Sequence, residues 1–560
     1  MEESKNVAIR AEKDHTSAVE SAYDYLEHFD ILETITNVGN DEVFTPRKTC
    51  DMILDSLPEE VWHNPNYKWL NPATKNGIFE REIAIRLDRG LKDIIPDEET
   101  RKKHILQNMI FAIGQTKFTA NVARRTLYYC SQANRKCDGI KAPDGHYVNG
   151  FAIGNGTWFD DEEGNIKTPR TEHVFERNGK CKFCGIPSSS KYNSPDQREH
   201  YAYEFIHYGK LALERHLQDL FFKGDRTMKF DVIVGNPPYM LTDGGGGSSS
   251  KPIYNLFVLN AIALAPKYIS MIIPSRWMTG GKGLDTFRDE MINDKRISVL
   301  HDFLNAGTCF PSVAIEGGVC YFLWEKEHID KCNVVTHQTN GELRTSFRYL
   351  NDQHGGDIYI RDDAAIGILN KVKNKTNSYF DSIVSTRMPF GIGNMSIDET
   401  AYTPQEGNDL KIFMRVNGKR EFRYSKNKLN ISKNTNLIEK YKIFISKADG
   451  AAGQIGNPIP ARIIGKGDLG DPHTICTETF LVVGPFDDKA SAENCIQYMK
   501  TKFFRFLVGI RKNKNMTQDT YKYAPLLDFS RVYTDKELYK HFNLNDEEIK
   551  YIETMIQEMN

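Results

Sequence analysis

The chain has 560 residues, 40% of them hydrophobic, with 73 Lys and Arg against 75 Asp and Glu, for a formal net charge of −2. That length exceeds one ordinary core and predicts two or three domains, while the near-neutral balance excludes a protein coated in basic residues but not one with a local basic stripe. No run of about eighteen apolar residues predicts a membrane span, and the charged start "MEESKNVAIRAEKDH" predicts no secretion signal, so a cytoplasmic location is expected.

In chain order, "SAVESAYDYLEHFDIL" sets Val19, Tyr23, Leu26 and Phe29 at helical spacing and predicts a helical segment within residues 1–40. From Tyr67 the pattern alternates: "YKWLNP" reads as strand, "IFEREIAIRLDRGL" as helix, "NMIFAIG" as strand and "TKFTANVARRTLYY" as helix. Residues 130–200 interrupt it with a stretch rich in Gly, Asn, Asp and Lys. The alternation resumes with "FDVIVG", a helix from about Pro252 to Leu264, the strand "YISMIIPS", a helix near "LDTFRDEMI", and the strands "ISVLHDFL" and "VCYFLWE". Strands alternating with helices predict a doubly wound α/β domain, here spanning residues 41–325.

Residues 326–560 are less regular, and their basic residues are bunched. Between Lys411 and Lys447 stand eleven Lys and Arg against two acids, Glu421 and Glu439. A second bunch, Lys500, Lys502, Arg505, Arg511, Lys512 and Lys514, is interleaved with Phe503, Phe504 and Phe506. A lysine cluster is most often a solvated face; this density, with aromatics between, predicts a phosphate-contacting surface, with Lys411, Arg415, Lys419, Arg420, Arg423, Lys426, Arg511 and Lys512 as its candidates.

The strand "FDVIVG" stops at Asn236-Pro237-Pro238-Tyr239, followed by a flexible Gly and Ser loop, Gly244 to Ser250. In an open α/β sheet ligands sit at the carboxyl ends of strands. The Asn236 side-chain oxygen and the Pro237 carbonyl can each accept one hydrogen of a planar amine, the prolines fix the backbone so the two acceptors converge, and Tyr239 offers a stacking face. Such a clamp returns the delocalised lone pair to an aromatic amine nitrogen and presents it for attack.

These residues resemble the adenine-specific (N6) DNA amino-methyltransferases of the large restriction-modification type. "VFTPRK" is similar to the family's F-T-P element, so Phe44, Thr45 and Pro46 are expected against the methionine end of S-adenosylmethionine. "WLNPATKNGIFEREIA" stands where the family has a strand, a D-P-A-C-G-S-G-like turn and a helix, which makes Asn71, Pro72, Ala73 and Gly77 cofactor candidates. Here Asn71 replaces the family's acid, Asn76 is expected to take a left-handed conformation in place of a glycine, and Gln115 stands where relatives hold the ribose with a carboxylate. "YEFIHY", read as the third strand, puts His207 near the adenine ring of the cofactor, and "NAGTCFPSVAIEGGVCYFLW" resembles the late hairpin, with Phe310 stacking on a flipped base opposite Tyr239. Taken singly, Phe310 is more often a core aromatic than a stacking plate, and the resemblance brings the two readings level.

Ten cysteines are too sparse for a disulfide framework, and "NGKCKFCG" has the C-x2-C spacing of a zinc knuckle. Cys181 and Cys184 give half a site; Cys130, Cys137 and His173 are the candidates to complete a structural zinc within the insertion. The resemblance implies a Rossmann-like class I methyltransferase domain with a zinc-binding insertion, plus a C-terminal mixed α/β target recognition domain. It implies an S-adenosylmethionine-dependent enzyme modifying N6 of adenine in a specific duplex DNA sequence, with a separate restriction endonuclease subunit as partner. Two other readings stay open: methylation of RNA adenine or protein glutamine, and a DNA-binding subunit whose altered cofactor turn has lost catalysis.

Overall fold

The computed structural model describes residues 43–128, 133, 159–189, 200–241, 251–279, 283–311, 313, 315, 317–339, 341–351, 358–393, 400–405, 409–426, 428–448, 459–512 and 515–559. The helix expected within 1–40, the Gly and Ser loop, Cys130 and Cys137 lie outside them. The predicted alternation appears as β1 (Trp69–Thr74), α2 (Ile78–Gly90), β2 (Ile110–Gly114), α3 (Lys117–Tyr128), β4 (Val232–Gly235), α5 (Tyr254–Leu264), β5 (Tyr268–Pro274), α6 (Asp285–Asn293), β6 (Ile297–Phe303) and β7 (Val319–Glu325), to which the structure adds α1 (Arg47–Asp55), β3 (Ile166–Lys167) and α4 (Lys210–Phe222).

The chain divides into two units, one running to Ile273 and including Cys309–Val313 and Tyr321–His328, the other comprising Pro274–Thr308, Ala314–Cys320 and Ile329–Asn560. In the first, the strands follow the order β3-β2-β1-β4-β5. All these neighbours are parallel, with Trp69 opposite both Ile110 and Val232, and Val232 opposite Tyr268. Every residue of β1, β2 and β4 is buried, as expected for continuous apolar strands covered on both faces. The strand order reverses between β1 and β4, and at such a switch point a crevice opens beyond the carboxyl ends.

The second unit begins earlier than residue 326. Its β6 pairs in parallel with β8 (Cys332–His337), which pairs antiparallel with β9 (Leu343–Arg348), so this late strand of the alternation packs with the C-terminal chain. Beyond α7 (Asp363–Lys373) come β10 (Thr400–Ala401), β11 (Lys411–Val416), β12 (Lys419–Ser425), β13 (Tyr441–Ser446), β14 (Asp468–Gly470), β15 (Thr474–Cys476) and β16 (Phe480–Phe486). They form a four-stranded sheet, β10-β12-β11-β15, and a three-stranded one, β14-β13-β16. The β11–β12 hairpin turns at Asn417 and Gly418, with φ 49° and 79°, the left-handed pair that a tight hairpin needs. Helices α8 (Lys489–Lys500) and α9 (Lys502–Arg511) complete the second core. No helix among the described residues is long and apolar enough to cross a membrane.

Candidate active site

Three adjacent parallel strands deliver the site: β1 ends in Asn71-Pro72-Ala73-Thr74, β2 runs into Gln115, and β4 runs into Asn236-Pro237-Pro238-Tyr239. The F-T-P segment crosses these ends from before α1, with Pro46 as the helix N-cap. Asn236 is 2% exposed, and its side-chain N–H donates to Thr45 Oγ1 at 3.0 Å and approaches the Val43 carbonyl at 3.5 Å. A backbone carbonyl only accepts, so it fixes which end of the carboxamide faces the F-T-P segment. The other end, Asn236 Oδ1, is buried without a hydrogen-bond partner among the described residues. An unsatisfied buried amide oxygen costs about 1–3 kcal/mol, a cost that a ligand amine can relieve.

The turn after β1 is built around a second amide. Asn71 donates from Nδ2 to Glu80 Oε1 at 2.8 Å and accepts at Oδ1 from the Ala73 N–H at 3.1 Å. Glu80, in the first turn of α2, is buried, and burial raises its pKa above the usual carboxylate value. Gly235 makes room for Asn71, because a Cβ on residue 235 would stand 2.5 Å from Asn71 Oδ1. Gly77 caps α2 at φ +80°, and a Cβ there would meet Ala123 Cα at 2.8 Å. Asn76 is not left-handed as expected: Gly77 alone takes the positive φ in this turn, while Asn76 Oδ1 accepts from the Ile78 N–H at 3.3 Å.

Lys75 occupies the place between the turn and the F-T-P segment. Its ammonium is buried, donates to the Val43 carbonyl at 3.1 Å and lies 6.0 Å from the centre of the Tyr239 ring. The cavity lined by Thr45, Asn71, Ala73, Lys75, Gly77, Glu80 and Asn236 measures about 10 Å³. That is room for a single water. Pro237 and Pro238 are buried, while Tyr239 is partly exposed and meets Tyr254 edge-on at 6.4 Å. The Gln115 backbone bridges N–H to the Thr74 carbonyl and C=O to the Tyr201 N–H, both at 2.9 Å.

Three expectations are corrected here. Phe310 is 1% exposed, packed in the core, and presents no open face for stacking. "YEFIHY" is not a strand, since Tyr201–Ile206 winds as a 3-10 helix. His207, just after it, is buried with both ring nitrogens engaged: Nδ1 bonds the Tyr203 carbonyl, and Nε2 lies 3.1 Å from His173 Nδ1 and 3.5 Å from Cys181 Sγ. No ring nitrogen is left for a cofactor. His173, Cys181, Cys184 and His207 instead form a cluster able to hold a metal, their ligand atoms all within 4.8 Å of one another. Burial, then the neighbouring His207, lowers the His173 pKa to about 4, and burial raises Cys184 to about 12.

The basic candidates separate into two groups. Lys411, Arg415, Lys419 and Lys426 are exposed on the β11–β12 hairpin; Arg420 pairs with Asp468 at 2.8 Å and Arg423 stacks 3.3 Å over the Tyr402 ring. Arg511 and Lys512 are buried, so they do not form part of a phosphate-contacting surface. The Arg511 guanidinium donates to the Asp519 carbonyl at 2.8 Å, and burial lowers the Lys512 pKa to about 8. The phenylalanines between them belong to the core because α9 is buried on all sides from Phe503 to Arg511.

A family model described as Eco57I restriction-modification methylase matches residues 108–310. A Mycoplasma pneumoniae protein described as an uncharacterized adenine-specific methylase is 48% identical over 319 residues, which is 55% of this chain and 73% of that one. The chain belongs to the adenine-specific methylase family. Among solved structures, the Type ISP restriction-modification enzyme LlaGI, a nuclease-deletion mutant with a DNA substrate mimic, is similar at 11% identity and TM-score 0.44, over 92% of this chain and 47% of that one. The Type IIL restriction-modification enzyme MmeI in complex with DNA is similar at 11% identity and TM-score 0.43, over 86% and 65%. The chain thus spans less than two thirds of either solved chain, and the family assignment rests on the sequence matches alone.

Membership of the methylase family implies S-adenosylmethionine as cofactor. The donor set at the β1 turn suits it: Asn71 holds the buried Glu80 carboxyl through Oε1, and Glu80 Oε2, without a hydrogen-bond partner among the described residues, is an acceptor for a cationic, hydroxyl-bearing ligand. Sequence reasoning missed Glu80 and Lys75, although "NPATKNGIFE" carries both. The one available signal was an acid in the first turn of a helix that follows a turn depleted of its usual acid.

Proposed function

We propose that the chain transfers a methyl group to N6 of adenine in a specific duplex DNA sequence, as the modification component of a restriction-modification or phage defence system. The observation that carries this reading is Asn236: its carboxamide is locked by the F-T-P segment with Oδ1 buried and unpartnered at the end of β4. Oδ1 accepts one N6 hydrogen and the Pro237 carbonyl the other, which localises the lone pair on nitrogen. Tyr239 provides the stacking surface for the extruded base, without Phe310. S-adenosylmethionine supplies the electrophilic methyl group; Phe44, Thr45, Asn71, Ala73, Gly77, Glu80 and Gln115 are the residues that would hold it. No enzyme nucleophile is needed, because the amine itself attacks.

The exposed cations of the β11–β12 hairpin grip the phosphates in this reading, and the second unit selects the sequence. A separate endonuclease subunit is the partner, and the insertion carries a structural zinc. One observation favours the alternative of a weakly active or inactive DNA-binding subunit: the cavity beside the β1 turn measures about 10 Å³. Methyl uptake by DNA, RNA and protein from one tritiated cofactor, followed by mapping of modified adenines in a host expressing the chain, tests the proposal. Label in adenine of duplex DNA at one sequence supports it; label confined to RNA or protein, or none with all three, rejects it.

A further inference from the structure

We infer that His173, Cys181, Cys184 and His207 bind one zinc ion, and that this ion fastens the insertion to the chain segment lying against the carboxyl end of β2. The cluster has the two-sulfur, two-nitrogen composition that zinc favours. Zinc bonds of about 2.3 Å to sulfur and about 2.0–2.1 Å to nitrogen set tetrahedral edges of about 3.5 Å between N and S and about 3.4 Å between two nitrogens. The cluster shows 3.5 Å for Cys181 Sγ to His207 Nε2, 3.5 Å for Cys184 Sγ to His173 Nδ1 and 3.1 Å between the two ring nitrogens.

The surroundings fix the ligands in binding form. The Tyr203 carbonyl can only accept, so His207 carries its hydrogen on Nδ1 and turns the lone pair of Nε2 into the cluster. Around the C-x2-C turn the Cys181 N–H donates to the Ile186 carbonyl at 2.8 Å and the Gly185 N–H to the Cys181 carbonyl at 2.9 Å. Gly185, at φ +79°, gives the reversal that points both sulfurs inward. His173 stands on the opposing arm, where the Lys182 N–H donates to the Val174 carbonyl at 2.8 Å. Three ligands thus lie on one small hairpin of the insertion, which has little apolar content to hold it in place.

The fourth ligand lies elsewhere. His207 follows the 3-10 helix Tyr201–Ile206, whose first N–H, that of Tyr201, donates to the Gln115 carbonyl at 2.9 Å. Asn260 of α5 holds the same helix through the Phe205 carbonyl at 2.8 Å. The metal therefore joins the insertion to the residues that border Gln115.

The test uses the full chain purified without chelator or metal-affinity resin. Elemental analysis is expected to find one zinc per chain, and replacement by cobalt(II) to give the strong visible bands of a tetrahedral site with thiolate-to-cobalt charge transfer. His207→Ala is expected to shift the visible bands as water takes the fourth position, and Cys181→Ser to lose the metal. In wild-type protein, removing zinc with a chelator is expected to abolish hydrogen-exchange protection at the Tyr201 amide. A folded wild-type chain free of zinc that gives no tetrahedral cobalt spectrum overturns the site; a cobalt spectrum unchanged by His207→Ala, or Tyr201 protection unchanged by the chelator, overturns the link. These readouts do not depend on methyl transfer, so failure of the enzymatic reading would leave them intact.

Discussion

Thr45 and Asn236, 191 residues apart in sequence, meet through one hydrogen bond of 3.0 Å that holds the Asn236 carboxamide in the orientation fixed by the Val43 carbonyl. Asn236→Ala removes the acceptor itself and is expected to lower kcat by about 10³-fold or more while DNA binding persists. Thr45→Val keeps the acceptor and the Val43 contact but removes the shorter of the two bonds that position the amide, and is expected to cost about tenfold in kcat. Steady-state methyl transfer with tritiated cofactor, alongside a gel-shift assay on the same DNA, measures both; full activity in Asn236→Ala would sink the mechanism.

Gly235→Ala places a methyl group 2.5 Å from Asn71 Oδ1. Asn71 must yield, and with it the hydrogen bond to Glu80. The expected result is a rise of about tenfold or more in cofactor KM, with a smaller change in kcat, since uniform binding suffers before transition-state stabilisation does. Calorimetric titration of the variant with cofactor checks it.

Glu80 makes stability depend on pH. Burial raises its folded pKa above the ordinary 4.5. The folded state therefore holds the proton more tightly than the unfolded chain does, so the protonation contribution to stability is complete below the unfolded pKa and lost as pH rises through the folded one. Glu80→Gln keeps an acceptor for Asn71 and removes the ionisation. Its melting temperature is expected to exceed that of the wild type at pH 8 and to converge with it at low pH; thermal melts across that range decide the matter.

Lys411, Arg415 and Lys419 are exposed on one hairpin, whereas Arg511 and Lys512 are buried. Replacing the first three by Ala is expected to leave the melting temperature nearly unchanged and to flatten the dependence of DNA affinity on salt, by about 0.9 in log–log slope for each phosphate no longer neutralised. Arg511→Ala is expected to act the other way, costing about 1–3 kcal/mol of stability through the unpaired Asp519 carbonyl, with the salt slope unchanged. Fluorescence anisotropy over a salt series separates the two.

Periodicity and punctuation made most of the first unit legible. "WLNPAT", "IFAIG" and "VIVG" are apolar runs bounded by turn residues, and all became buried parallel strands. The place of N-P-P-Y just past the end of β4 was legible too, because two prolines cannot continue a central strand. Burial was not. Phe310, Arg511 and Lys512 have chemistry suited to a base or a phosphate, and only their tertiary neighbours reveal that they are buried. His207 was misplaced because "YEFIHY" alternates like a strand, while the 3-10 turn that it forms rotates the imidazole toward Cys181. Asn76 was misjudged for a related reason: one glycine at position 77 supplies all the left-handed backbone that the turn requires.

The Lys75 ammonium, bonded to the Val43 carbonyl, lines a cavity with room for one water. A nucleoside-sized molecule fits there only in a wider form, so its apparent dissociation constant exceeds the intrinsic one by the inverse of the fraction of chains that adopt that form unaided.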